Sequence, residues 1–357
     1  MFDAVIIGAG PAGSAAAYDL AAAGCRVMLA DKRAFPREKA CAGGITPRAY
    51  SLFRFDVSGI VRRQCRVLEI TPPRGSRFRI QDSSPLCHMT RRRDLDLLAR
   101  DQAVQRGAEF RVIQKILSIN ERPGHVEILV DGERIRAACL IGADGVNSRI
   151  RQLAGFEFDI VKNPAIEADI LLERPGYGNM EFDFSLVPKG YFWVFPRDDH
   201  VNIGIYSARA GNKIKRQLLY DYASARLPGG KIVALKGYPI GTGGYCRRPG
   251  KGRVLLAGDA AGLAEPCFGE GIFFAVKSGQ VAARAILDGG QDENPGPRYN
   301  QAMGTVRRDL CLYHWGARFL YRYPSLFFKG LSLPFVRRRF ARGYARGKSL
   351  ATILVNG

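Results

Sequence analysis

The stretch "DAVIIGAGPAGSAAAYDLAAAGCRVMLADK", residues 3–32, decides the fold. Val5–Ile7 is a short apolar run of the kind that forms a strand buried on both faces. Ala12–Ala23 is rich in alanine and reads as a helix. Gly8, Gly10 and Gly13 have the spacing GxGxxG. In such a turn Gly8 permits the tight bend, Gly10 lets backbone approach a pyrophosphate, and Gly13 lets the helix pack closely on the strand. The helix N-terminus offers free N–H groups and about half a positive charge to that anion. A second strand, Arg26–Ala30, delivers Asp31 where a carboxylate can accept both hydroxyls of an adenosine ribose. Together these features specify a dinucleotide site on a parallel sheet. NAD and FAD both stay open at this point.

Two further segments select a flavin. "RIRAACLIGADGVNSRIRQLAG" (134–155) runs through a strand at Cys139–Ala143 into Asp144 and Gly145, followed by Ser148 and Arg149. "GRVLLAGDAAGLAEPCFGEGIFFAVKSGQVAA" (252–283) runs through Val254–Ala257 into Gly258 and Asp259, and a glycine-rich loop leads to a helix from near Gly271. Both acids fall at the carboxyl ends of expected parallel strands, where open α/β sheets bind ligands. An Asp there can accept bonds from ribityl hydroxyls, and the second helix N-terminus faces the flavin phosphate or a ring carbonyl. "VDGER" (130–134) reads differently, as a hairpin turn joining His125–Val130 to Glu133–Ala137.

With the three motifs in this order, residues 1–290 resemble the para-hydroxybenzoate-hydroxylase-like group of FAD enzymes. In "TRRRDLDLLARDQAVQRGAEF" (90–110), Arg92, four residues before Asp96, stands where that group places an arginine near the flavin. "KACAGG" (39–44) resembles the Cys-x-Gly-Gly segment of the geranylgeranyl reductase family. "VPKGYFWVFPRDDHVNIGIY" (187–206) resembles that family's Pro-x-x-Tyr-x-Trp-x-Phe-Pro signature at Pro188, Tyr191, Trp193, Phe195 and Pro196. The Gly-x-Gly that should follow is half kept, with Gly204 present and Tyr206 in place of the second glycine.

The resemblance implies an α/β fold (α+β overall): a Rossmann-like FAD-binding domain, an antiparallel-sheet substrate domain and a helical C-terminal segment. It implies FAD contacts from Gly8, Gly10, Ala12, Gly13, Asp31 and Lys32, and from Cys41, Ala42, Gly43 and Arg92. Asp144, Gly145, Gly258, Asp259, Gly269, Gly271 and Ile272 complete that set. The implied reaction is saturation of isolated C=C bonds in a geranylgeranyl-type chain on a lipid, quinone or diphosphate. Reduced FAD would give a hydride while a proton reaches the other alkene carbon, with Cys41 the candidate donor and Tyr191 or flavin-delivered water behind it. Flavin monooxygenases and electron-relay flavoproteins feeding quinone use the same frame and stand as alternatives.

Tyr191, Trp193 and Phe195 recur every second residue, so on a strand they form one wall. An isoprenoid tail has no hydrogen-bonding groups, and its binding must come from buried apolar area at about 25 cal/mol per Å². The wall, with Gly204 and Cys267, is therefore the expected substrate side.

The 357 residues suggest two domains or one two-lobed unit, and 46% apolar residues suffice for a sizeable core. The expected flavin domain is discontinuous, 1–60, 88–155 and 250–295; residues 61–87 and 156–249 are left for the substrate domain. The latter includes an antiparallel meander from Ile166 to Tyr245. A Pro/Gly linker at 288–300 leads into a basic, aromatic helical segment, 296–357. Eight cysteines without a CxxC pair argue against zinc and iron–sulfur sites, and no metal is expected. The start lacks a basic n-region, and no apolar run reaches the ~18 residues of a membrane span. The expected place is the cytoplasm, with peripheral attachment to the inner face of the cell membrane.

With 54 Lys and Arg against 33 Asp and Glu, the net charge of +21 favours anionic partners. From Gln301 the tail carries one acid, Asp309, against basic residues that include Arg318, Arg322, Lys329, Arg337, Arg338 and Arg339. Trp315, Phe319, Tyr323, Phe335 and other rings are interleaved. That mixture suits an anionic membrane surface better than nucleic acid, since no RNA-binding fold accompanies it. No second GxGxxG follows, so the electron donor is NADPH docking transiently or a small acidic, ferredoxin-like carrier. A monomer is expected.

Overall fold

The computed structural model describes residues 1–172, 177–289 and 294–355. Phe2–Ile7 is the central strand of the first sheet because its apolar run is enclosed on both faces: Ala4, Val5 and Ile6 have no exposed surface. Five strands run parallel in the order Val254–Leu256, Glu133–Gly142, Phe2–Ile7, Val27–Asp31 and Glu109–Val112. His125–Val130 and Ile116–Arg122 extend the Glu133–Gly142 strand as an antiparallel ribbon. The expected hairpin is present: Asp131 and Gly132 both have positive φ (50° and 88°), as a two-residue turn between twisted strands requires. Helix Pro11–Ala22 packs against Arg92–Gln105 and against Ile272–Leu287. The parallel arrangement brings Gly8, Asp31, Asp144 and Gly258 to the same carboxyl edge of the sheet, where ligands of such sheets bind.

The second sheet has the order Lys231–Gly237, Ala165–Leu171, His200–Ser207, Gly190–Pro196, Met180–Asp183, Val67–Thr71 and Phe78–Gln81. Alternation divides its residues cleanly. Phe192 and Val194 join a core with Ile203, Ile205 and Leu219, whereas Tyr191, Trp193 and Phe195 join another with Phe182 and Tyr206.

Two elements depart from the antiparallel sheet expected of the substrate domain. Val67–Thr71 pairs parallel with Met180–Asp183, because it enters the sheet by a crossover rather than through a hairpin. Arg216–Arg226 is a helix, with Leu219, Tyr222 and Ala223 buried at helical spacing and Tyr222 stacked on Phe192, centroids 3.8 Å apart. Reading that segment at a period of two missed a period near 3.6.

The linker read at 288–300 lies partly outside the described residues. Its end is the helix Pro295–Ala302, which begins at Asn294, whose side chain accepts the Gly296 N–H at 3.0 Å. The tail continues as Gly304–Arg322, Pro324–Ser332, Pro334–Ala345 and Leu350–Val355. Pro324 and Pro334 each open a new helix, where a missing N–H costs nothing. Leu310, Ala317, Leu320, Phe328 and Ala341 are buried on the inner side of these helices. Among the described residues no helix is long and apolar enough to cross a membrane.

Candidate active site

The first turn has the geometry that its glycines predict. Gly8 has φ +105°, and a Cβ there would lie 2.2 Å from the Ala143 carbonyl oxygen. A Cβ on Gly13 would lie 1.8 Å from the Gly8 carbonyl oxygen, so helix and strand touch backbone to backbone. Gly13 is thus a packing residue and does not line the cavity. Asp31 Oδ2 accepts the Ala9 N–H at 2.9 Å and faces Arg37 at 3.3 Å. Arg37 also pairs with Asp96 at 3.1 Å, while its buried Nε has no hydrogen-bond partner among the described residues. Arg92 forms a bidentate pair with Asp96 at 2.9 and 3.0 Å. A Cβ on Gly10 would sit 3.8 and 3.9 Å from the guanidinium ends of Arg37 and Arg92. Two guanidinium groups, one with an unsatisfied buried N–H, thus flank a bare helix N-terminus. This is anion-binding chemistry, and it fits a dinucleotide pyrophosphate.

Deeper in, Lys39 lies over the Tyr238 ring, 4.2 Å from its centroid. Burial, then the Arg92 charge, pulls its ammonium below the usual lysine range, opposed by Asp259. Burial raises the Asp259 carboxyl, against the pull of Lys39 and Arg92. Among the described residues the Asp259 carboxylate has no hydrogen-bond partner, and the residue lines the cavity. Asp144 differs: its carboxylate takes the Ser148 hydroxyl and the Arg149 N–H, both at 2.6 Å, and the Ile150 N–H at 3.1 Å. Its oxygens thus tie down the start of the helix Arg149–Leu153, whose N-cap is Ser148, so of the two acids read as ribityl acceptors Asp259 is the one left without a partner among the described residues. Helix Ile272–Leu287 begins at Gly271 without a side-chain cap, leaving its first N–H groups to a ligand.

The segment Cys41–Gly43 is clamped from the second sheet. Cys41 N–H donates to Glu167 Oε1 at 2.9 Å, and Arg197 donates to the Ala42 carbonyl at 2.8 Å and to the Thr90 carbonyl at 3.1 Å. Gly43 N–H donates to Cys41 Sγ at 3.4 Å, and the thiol adds to the raising of the Arg92 guanidinium.

Beyond this loop stands the ring wall. Phe182 meets Tyr191 and Phe195 edge-on, centroids 5.0 and 5.5 Å apart, and Trp193 Nε1 donates to Asn202 Oδ1 at 2.7 Å. The Tyr191 hydroxyl donates to the Phe268 carbonyl, and burial pushes it well above the usual phenol range. It stands in the wall with its proton held by that carbonyl. Cys267 donates to the Tyr313 carbonyl at 3.2 Å, and burial raises its thiol well above the ordinary value. Gly204 does not line the cavity. It faces Trp193 across the strands, and a Cβ there would lie 2.0 Å from the indole Cζ2, so its place in the signature is to make room for that ring.

One continuous cavity of about 1820 Å³ joins these parts. That exceeds the ~300–1,000 Å³ of an ordinary small-molecule site and has room for a dinucleotide and a long chain together. Of the site residues read from sequence, all except Gly13 and Gly204 line it, Lys32, Ala42, Gly145, Gly269 and Ile272 included. Its outer end is built by the tail, where Trp315, Phe319, Leu326 and Phe335 line it while 60%, 42%, 60% and 69% exposed. Those residues mark the mouth. The sequence reading missed Arg37, Lys39, Glu167 and Tyr238. Lys39 lies inside the quoted KACAGG. Glu167 was detectable as an acid on the face opposite Ile166, Ala168 and Ile170; Arg37 and Tyr238 carried no local signal.

A parallel sheet with a glycine cradle, paired guanidinium groups and a buried acid at its carboxyl edge defines a flavin-dependent oxidoreductase, and residues 1–287 match the family described as FAD binding domain. A geranylgeranyl diphosphate reductase of Rhodobacter capsulatus is 31% identical, with 80% of this chain aligned to 75% of that protein. The chloroplastic geranylgeranyl diphosphate reductase of Arabidopsis thaliana is also 31% identical, and the chain spans 66% of its length. A geranylgeranyl bacteriochlorophyll reductase-like structure from Thermoplasma acidophilum superposes with TM-score 0.81 over 99% of this chain and 94% of that one, at 21% identity, which bears on the fold alone. The chain belongs to the geranylgeranyl reductase family of FAD-dependent oxidoreductases.

Proposed function

We propose that the protein saturates C=C bonds of an isoprenoid chain of the geranylgeranyl type, carried on a lipid, a quinone or a diphosphate. The observation that carries this reading is the aromatic wall of Tyr191, Trp193, Phe195 and Phe182 on the same cavity as the flavin cradle, extended by the tail to an apolar mouth. FAD, when bound and reduced, would supply the hydride chemistry. The chain's own residues do the rest. The N-terminus of Pro11–Ala22, with Arg37 and Arg92, would hold the pyrophosphate, Asp31 the adenosine ribose, and Asp259 with Lys39 the ribityl side. The ring wall binds the chain through contact area at little cost in rotamer entropy. Hydride transfer to an unconjugated alkene develops positive charge that has no carbonyl to receive it. A dry cavity wall lets nearby fixed charges act at full strength on that carbon.

The mouth gives the finer part of the reading. Trp315, Phe319, Leu326, Leu333 and Phe335 are exposed among the basic residues Arg318, Arg322, Lys329, Arg337 and Arg338. Exposed rings within a basic field suit the surface of an anionic bilayer. A monomer resting there, on the inner face of the cell membrane, would take its substrate directly from the lipid phase. The positive field also suits a small acidic electron carrier.

Mass spectrometry of the product tests the reaction. Turnover with a geranylgeranyl lipid under a chemical reductant should add two hydrogens per step. A hydroxylated product would favour the monooxygenase alternative and overturn the proposal.

A further inference from the structure

Saturating a C=C bond consumes a proton as well as a hydride, and on the reading above the cavity must supply it. Most acids on its wall are engaged. Tyr191 and Cys267 donate to carbonyls. Glu265 accepts three backbone N–H groups, from Cys267, Phe268 and Glu270. Glu270 takes the Thr46 hydroxyl. Asp259 faces Lys39 and Arg92 on the flavin side.

Glu167 is different. It is 6% exposed and lines the cavity. Oε1 accepts the Cys41 N–H at 2.9 Å, and among the described residues Oε2 has no hydrogen-bond or ion-pair partner. The strand register sets Glu167 beside Gly204, and Gly204 beside Trp193, all in one cross-strand row. The bare Gly204 lets the indole lie over that row, so acid and ring wall adjoin. Burial pushes the Glu167 carboxyl up to about 7; the Cys41 N–H opposes this, Asp169 adds to it, and Arg197 and Lys236 oppose it. These are the charged groups that face it from its own strand, the neighbouring strand Lys231–Gly237 and the end of Gly190–Pro196, with Arg92 on the far side of Cys41.

We propose that Glu167 is the acid of this cavity, delivering its proton to the alkene carbon opposite the one that takes the hydride. The alkene π pair forms the new C–H bond to the carboxyl proton, and the hydride pair, from the reduced flavin, forms the other. The alkene is reduced, the flavin is oxidised, and Glu167 is left as a carboxylate that regains a proton from solvent between turnovers. Cys41 is not consumed; its N–H fixes the carboxyl.

Two measurements decide this, using the holoprotein and the variants Glu167→Gln and Glu167→Asp. The first needs no turnover: the infrared spectrum of wild type minus Glu167→Gln should contain a carboxylic-acid C=O band that titrates near pH 7. A Glu167 ionised throughout that range overturns the proposal. The second is anaerobic flavin reoxidation by a geranylgeranyl lipid. The wild-type rate should fall as pH rises through about 7, since the protonated form is the donor. Glu167→Gln, which keeps an acceptor for the Cys41 N–H, should be about 100-fold slower or more, without that break. FAD content and lipid affinity should be unchanged, and Glu167→Asp should recover part of the rate. If wild type reoxidises and Glu167→Gln matches it within a few-fold with the same pH break, this proposal fails alone. If wild type does not reoxidise, the reductase reading falls too. Should Glu167→Gln not fold, a Glu167→Asp rate with an unshifted pH break would count against the proposal.

Discussion

The substitution Gly204→Ala puts a methyl carbon 2.0 Å from Trp193 Cζ2 and 2.4 Å from Cε2, far inside contact distance. The indole is tethered by Nε1 to Asn202 at 2.7 Å and is 6% exposed, so it cannot swing freely. Overpacking of this kind costs about 1–3 kcal/mol. With an unfolding entropy of about 2.1 cal/mol/K per residue, a chain of this length should lose only about 1–4 °C in Tm. The functional loss should be larger, because the ring can relax only toward the cavity and would narrow it beside Glu167. The chain has two tryptophans, so a Trp315→Phe background makes emission report on Trp193 alone. We expect Gly204→Ala to keep its flavin, to shift Trp193 emission and to lose at least about tenfold in prenyl turnover. Adding Trp193→Phe should restore Tm. Unchanged emission together with full turnover would refute the account of Gly204 as the floor beneath the ring.

Asp259→Ala should lower FAD affinity by about 10- to 150-fold, as loss of a hydrogen bond to a charged group does, and Asp31→Ala by less; flavin absorbance after dialysis checks both. Cys267→Ser should keep flavin and turnover, since its thiol is held to a carbonyl and raised by burial; loss of turnover would give it a part in the chemistry. Burial pushes Glu265 up to about 7, so the folded state holds a proton that the unfolded chain has released. Its contribution to stability should therefore decline as pH rises from the ordinary glutamate pKa through about 7, and denaturant titrations of wild type and Glu265→Gln should diverge over that interval. Phe335→Ser with Arg337→Gln and Arg338→Gln should weaken binding to anionic vesicles, and salt should weaken wild-type binding. Equal sedimentation with vesicles would remove this face as the anchor.

The flavin half of the site was legible because its residues are held by local backbone geometry. Gly8, Gly13 and Asp31 act within a single strand–turn–helix unit, whose spacing is fixed by the turn itself. The face of the ring wall was equally legible, since strand alternation is strictly local. Where pairing came from afar, the reading stopped. The parallel join of Val67–Thr71 to Met180–Asp183 depends on a crossover of more than a hundred residues, and the clamp of Glu167 and Arg197 on Cys41–Ala42 joins residues equally distant. Gly204 was read as a pocket residue because a motif gives position and not direction; the nearby ring fills the space. The hold of Asp144 on Ser148, Arg149 and Ile150, though local, forms only in the folded turn and was not visible in the motif.

The most direct test of the central claim is anaerobic stopped-flow absorbance of the dithionite-reduced holoprotein mixed with a geranylgeranyl lipid. The account predicts return of the oxidised-flavin spectrum without oxygen, in step with the gain of two hydrogens by the lipid. A flavin that stays reduced until oxygen is admitted, and a lipid that then carries an added oxygen atom, would contradict it.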